Sequence, residues 1–244
     1  DRMNDYFNLR DDDAWNISAN GTQDAFCAFW MEIDTLADNR LQYWFSNNTS
    51  TTGTGAINLT SDSTGDVLRV LGGGSDDVSS PTIAIPTGYM YVVVQYRAST
   101  DRIEIITCME GDTEVRTASP NASFNDYAGV VWNLGRRADG NADRYYGGKI
   151  FNVVKGDDLL STANVESLAS DFLNYDPTDN AIFTPIIYFP MNEGAGTTIT
   201  DTQLGLTGTG IGFPGNDSQW TFEGTSGGGG FQPAWASNAN VLLS

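Results

Sequence analysis

Apolar residues in this chain come in short runs of strand length, each closed by a cluster of Gly, Asn, Asp, Ser or Thr. Phe26-Cys27-Ala28-Phe29-Trp30-Met31-Glu32-Ile33 is nearly continuous, the pattern of a strand buried between two layers. Leu41–Phe45 follows it. Ala56–Leu59 and Val67–Leu71 read as the two arms of a hairpin. Tyr89–Arg97 alternates aromatic and β-branched residues, which suit a pleated surface. Thr100-Asp101 turns that strand into Ile103–Met109, and Glu110-Gly111-Asp112 turns again. Val130–Gly135 and Lys149–Val154 complete the series. Many short strands separated by turn chemistry predict an all-β fold of two antiparallel sheets. One segment carries the helical period instead. Ser161 is a good N-cap, and Val165, Leu168, Ala169 and Phe172 fall on one face. A single short helix is therefore expected over 162–173.

The 244 residues suffice for one large sandwich with a sizeable core. The net charge of -19 repels phosphate backbones and anionic bilayers. Nucleic acid is thus excluded as a partner, and no run is long and apolar enough for membrane insertion. The chain has no histidine. That removes Ser-His-Asp and Cys-His catalysis and the commonest zinc ligand. Cys27 and Cys108 both lie in apolar strands, so they read as two buried thiols or as one disulfide. Position 1 is Asp rather than Met, from which processing or an upstream portion is expected.

One stretch late in the chain carries a family signature: Tyr188-Phe189-Pro190-Met191-Asn192-Glu193-Gly194-Ala195-Gly196-Thr197-Thr198-Ile199-Thr200-Asp201. It resembles the opening of a laminin-G-like, concanavalin A-like jelly-roll domain, in which an aromatic strand enters an Asn-Glu-Gly-x-Gly turn and a Thr-rich strand ending in Asp. Further pieces are similar in order. They are Asp1-Arg2-Met3-Asn4-Asp5-Tyr6-Phe7, Ala28-Phe29-Trp30-Met31, the pair Val92–Tyr96 and Ile103–Cys108, and Gly148-Lys149-Ile150-Phe151-Asn152-Val153 followed by Leu160-Ser161. The resemblance implies a two-sheet jelly-roll sandwich over 1–222. Its departure is the order, because the family's opening here follows the helix. Segment 185–222 could close the same sandwich as a circular permutation, begin a second unit, or pair with another copy. Completion of the same domain leaves no unpaired edge and is the expectation. Residues 223–244, with Gly227–Gly230, read as a Gly-rich linker and C-terminal tail.

Three constellations bear on chemistry. Glu32 and Asp34 share a strand face. Laminarinase-type glycosidases of this fold place carboxylates in that way, but the third same-face position here is Leu36. A strand running out into an acidic turn is the plainer reading. The alternating Asp139-x-Asn141-x-Asp143 offers hard oxygen ligands, a candidate calcium site. Tyr145 and Tyr146 beside Arg144 are candidates for stacking on a sugar ring while polar neighbours fix its hydroxyls. Asn192, Glu193 and Asp201 are expected to brace turns, and Trp30, Trp44 and Trp132 to fill the core. The expectation for function is a non-enzymatic extracellular, cell-surface or virion-surface module. Its activity would be adhesion or glycan binding as part of a coat or decoration. A self-assembling coat or filament subunit, binding copies of itself or other coat proteins, is the alternative. A glycoside hydrolase using Glu32 and Asp34 stands below both.

Overall fold

A computed structural model describes residues 6–9, 13–15, 22–33, 42–46, 56–62, 65–71, 77–79, 90–100, 102–109, 112–118, 131–136, 148–170, 181–191, 193–213, 220–222 and 239–243. Its strands are β1 (Tyr6–Leu9), β2 (Ala25–Ile33), β3 (Gln42–Ser46), β4 (Ala56–Asp62), β5 (Gly65–Leu71), β6 (Asp77–Ser79), β7 (Met90–Arg97) and β8 (Arg102–Met109). They continue with β9 (Asp112–Ala118), β10 (Asn133–Leu134), β11 (Gly148–Gly156), β12 (Ile187–Phe189), β13 (Thr198–Thr200), β14 (Thr207–Ile211), β15 (Trp220–Phe222) and β16 (Ala239–Leu243). The helix α1 spans Thr162–Ser170, and the predicted extension through Leu173 lies outside the described residues.

Two sheets form. The first runs β13-β14-β1-β10-β3-β4-β5-β6, and the second runs β15-β16-β11-β2-β7-β8-β9 with β12 also on β11. Each strand pair is antiparallel. The chain order explains the mixture. The segment that carries the Asn-Glu-Gly signature gives β12 to the second sheet and β13–β14 to the first, where β14 pairs with β1. The C-terminal β16 pairs with Gly148–Ile150 of β11, while β12 pairs with Val153–Lys155 on the same strand. Between those two stretches β11 shifts register against β2. Asn152 sits there at φ 50, a backbone state that Asn tolerates better than most residues.

The core lies between the sheets and is aromatic at its centre. Phe45 of β3 stacks on Trp132 at 4.3 Å, Trp15 meets Phe45 at 5.3 Å, and Trp15 stacks on Phe189 of β12 at 5.4 Å. Trp15 therefore bridges the two sheets, and it is fully buried along with Trp132. Aromatic pairs of this kind add about 0.5–1.5 kcal/mol beyond the area they bury. Cys27 and Cys108 are both buried and form no disulfide. By register they fall on opposite faces of the second sheet: Cys27 pairs Val94, which pairs Ile105, while Cys108 pairs Tyr91, which pairs Trp30.

The outer face of the second sheet is covered. Phe26, Ala28, Val93, Ile106 and Val154 fall on it by register and are buried, with Phe183 edge-on to Phe26 at 4.9 Å. The approach to the helix is clamped there by a polar group. Gln95 donates to Glu104 at 2.6 Å and to the Leu160 carbonyl at 3.1 Å, and its Oε1 accepts from Leu160 N at 2.9 Å. Ser161 then caps α1, its Oγ accepting from Asn164 N at 3.2 Å. Val165 and Leu168 are buried, as their spacing predicted.

Candidate functional site

The outer face of the first sheet is built differently. Strand β14 reads Thr-Gly-Thr-Gly-Ile, and its glycines face the core because nothing larger fits. A Cβ on Gly208 would lie 2.7 Å from Leu9 and 2.8 Å from Ile199, and one on Gly210 would lie 2.6 Å from Phe213. The alternation of a strand then turns Thr207, Thr209 and Ile211 outward. In β1 the same alternation buries Phe7 and Leu9 and leaves Tyr6 and Asn8 half-buried on the outer side.

Register lines up one row across five strands. Thr198 opposes Thr209, Thr209 opposes Asn8, Asn8 opposes Asn133, and Asn133 opposes Ser46. All five side chains are polar and uncharged. The row descends: Thr198 and Thr209 are exposed, Asn8 is half-buried, and Asn133 and Ser46 are buried at 3% and 0% exposure. The Asn133 Oδ1 at the deep end has no hydrogen-bond partner. One flank carries Thr200 opposite Thr207. The other carries Tyr6 opposite Ile211, with Ile211 41% exposed and the Arg136 guanidinium 4.6 Å from the Tyr6 ring centre. The arrangement offers hydroxyl and amide groups between a polar and an apolar bank. Such a surface suits a ligand rich in hydroxyls and C–H faces.

The acidic residues of the Asn-Glu-Gly signature do structural work, as expected. Asp201 is 1% exposed. Its Oδ1 accepts from Tyr188 N at 2.6 Å and Gln203 N at 3.2 Å, and its Oδ2 accepts from Leu204 N at 2.6 Å. Thr202 N donates to the Tyr188 carbonyl at 2.9 Å. Because Tyr188 lies in β12 and Asp201 directly follows β13, these bonds tie one sheet to the other. The Glu193 Oε1 accepts from Thr200 N at 2.9 Å. Burial pushes its carboxyl above the ordinary range, against the pull of that bond. Asn192 lies outside the described residues.

Other titratable groups belong to packing. Burial raises the Cys27 thiol to about 12, offset in part by Lys155 across the strand pair. Lys155 is itself buried and bonds Asp157 at 3.2 Å. Burial pushes Glu104 up, but hydrogen bonds from Arg97 and Gln95 and the nearby arginine charges carry it net below the usual range. Arg97 reaches it at 3.0 Å.

Arg144, Tyr145, Tyr146, Asp139, Asn141 and Asp143 all lie in segment 137–147, outside the described residues, as does Asp34. Glu32 takes the register position opposite Lys149 in the second sheet. Among the described residues no group of three or more His, Cys, Asp or Glu is placed to hold a metal ion. The polar row was not read from the sequence. Its members sit on five strands scattered from position 8 to position 209, and only the pairing register gathers them.

No known protein family and no curated protein matches the sequence. Solved structures do match in shape. A proposed carbohydrate binding protein from Bacteroides ovatus superposes with a TM-score of 0.61 at 14% identity, over 85% of this chain and 56% of that one. The fold is a concanavalin A-like, laminin-G-like jelly roll. A heptameric SAP-like pentraxin from Limulus polyphemus matches at TM-score 0.48 and 13% identity, over 85% of this chain and 88% of that one. The CBM40 of a Ruminococcus gnavus IT-sialidase, bound to sialyllactose, matches at 0.43 and 14%, over 60% and 82%. The chain spans little more than half the length of the Bacteroides protein. At these identities what is shared is the jelly roll itself. No helix of the described residues is long and apolar enough to cross a membrane.

Proposed function

We propose that this jelly roll is a non-catalytic carbohydrate-binding module that works in adhesion outside the cell, at a cell or virion surface. The observation that carries the reading is the set of exposed hydroxyls of Thr198, Thr200 and Thr209, with Asn8 half-buried beside them, on the outer face of the first sheet. On the outer face of the second sheet the described apolar residues Phe26, Ala28, Val93, Ile106 and Val154 are buried. The shape match to a proposed carbohydrate binding protein supports the same reading at the level of fold.

Affinity electrophoresis through gels containing soluble polysaccharides tests it, with a reducing-sugar assay on the same mixtures. The reading predicts retardation in at least one polysaccharide and no release of reducing ends. Release of reducing ends that disappears in Glu32→Gln would move the hydrolase reading to first place. A protein that migrates freely in every gel but runs as a stable assembly would favour the structural coat.

A further inference from the structure

We propose that the outward-facing Thr198, Thr209 and Asn8 form the saccharide site and that its ligand is an uncharged polysaccharide lying across the strands. The inference rests on the carbohydrate-binding reading and adds a location and a ligand class to it.

The location follows from three observations. The row is continuous through direct cross-strand partners on five neighbouring strands. At about 4.8 Å between strands its solvent-facing part, Thr198 to Asn8, spans roughly 10 Å, the scale of one to two pyranose rings. Thr198 and Thr209 are exposed and Asn8 is half-buried, while Asn133 and Ser46 are buried beyond them. The flanking Tyr6–Ile211 pair gives the C–H faces of the rings an apolar bank, while Thr200 and Thr207 supply hydroxyls on the other side.

The ligand class follows from charge. The chain carries a net charge of -19, and that field disfavours polyanions. No side chain of the row or its flanks is a carboxylate, while the Glu193 Oε1 sits behind Thr200 on its N–H at 2.9 Å. Among the described residues Arg136 sits at the rim against Tyr6. Neutral hydroxyl-bearing chains meet no electrostatic barrier and find neutral donors and acceptors throughout.

The test uses the full chain with mixed-linkage β-glucan and galactomannan as neutral probes and alginate as the polyanionic one. Thr198→Val with Thr209→Val removes two exposed hydroxyls while keeping the branched shape, and Asn8→Ala removes the next member. Each variant is expected to retain the wild-type unfolding temperature and to lose tenfold or more in affinity for the neutral probe. Tyr145→Ala with Tyr146→Ala serves as the competing location. If the wild type binds a neutral probe and the row variants bind equally well, the site assignment is wrong while the carbohydrate reading stands. Loss of binding in the tyrosine variant alone has the same meaning. Binding of alginate but of neither neutral probe overturns the ligand class. A wild type that binds no polysaccharide sinks both the site and the reading on which it rests.

Discussion

Asp201 offers the sharpest test of how the late segment is locked into the sandwich. Its carboxylate takes three backbone N–H groups, and the three differ in what replaces it. Gln203 and Leu204 are exposed, so water takes over their N–H groups in Asp201→Ala at small cost. Tyr188 is buried at 4% exposure, so its N–H is stranded. Losing a charge-assisted bond and leaving that donor unpaired together cost about 3 kcal/mol. For a chain of this size that corresponds to a fall in Tm of about 6–12 °C. Asp201→Asn separates charge from geometry. Its remaining oxygen serves Tyr188 and Gln203, but its amide nitrogen then faces the Leu204 N–H, 2.6 Å from the present Oδ2. Two donors in opposition should cost about 1–2 kcal/mol, less than alanine does. Urea unfolding followed by tryptophan fluorescence measures both variants. A loss below about 1 kcal/mol for Asp201→Ala would refute the reasoning. It would mean that the bond between β12 and the turn after β13 does not hold the sheets together.

Glu193 is expected to show the opposite pH behaviour from an ordinary paired carboxylate. A carboxyl raised in the fold holds its proton more tightly folded than unfolded, so its contribution is present below the unfolded pKa and declines as pH rises through the folded one. Glu193→Gln keeps an oxygen for Thr200 N and removes the buried charge. The variant should match the wild type near pH 4 and exceed it in Tm near pH 7; a variant less stable at neutral pH would contradict the burial argument. Cys27, raised to about 12, should stay unmodified by a thiol reagent at about pH 8, where so little of it is thiolate. Both cysteines should react once the chain is denatured, and rapid native labelling of Cys27 would show that its surroundings open. Gly208→Val should cost about 1–3 kcal/mol by overpacking Leu9 and Ile199. A neutral result in thermal unfolding would show that β14 is loosely held.

Strands β2, β7, β8 and β11 were legible in the sequence because each is a long apolar or β-branched run buried on both faces. The strand β9 was not, since Asp112–Ala118 holds Val115 as its one large apolar residue and is placed by pairing with β8. Of the predicted Val130–Gly135 strand, the described residues give only Asn133–Leu134 as β10, with the Leu9 N–H reaching the Trp132 carbonyl at 2.7 Å one step further along the same register. In β14 glycine, normally a weak strand residue, is selected by contacts with Leu9, Ile199, Phe7 and Phe213 that no local pattern discloses. The helix was legible to its cap, because Ser161 and the Val165–Leu168 spacing act locally. The candidate site was the least legible. Threonine, asparagine and serine on alternating strand positions look like any solvent face, and nothing before the register distinguishes Asn133 from Asn141. The brace residues Glu193 and Asp201 could be read because their role is local and the family signature fixes their spacing.

Hydrogen exchange of backbone amides, with and without a neutral polysaccharide that retards the protein, tests the central claim most directly. Added protection should appear in β13, β14, β1 and β10, while β7 and β8 on the second sheet should not change. Protection confined to the second sheet or to segment 137–147, with the first sheet unchanged, would contradict the account.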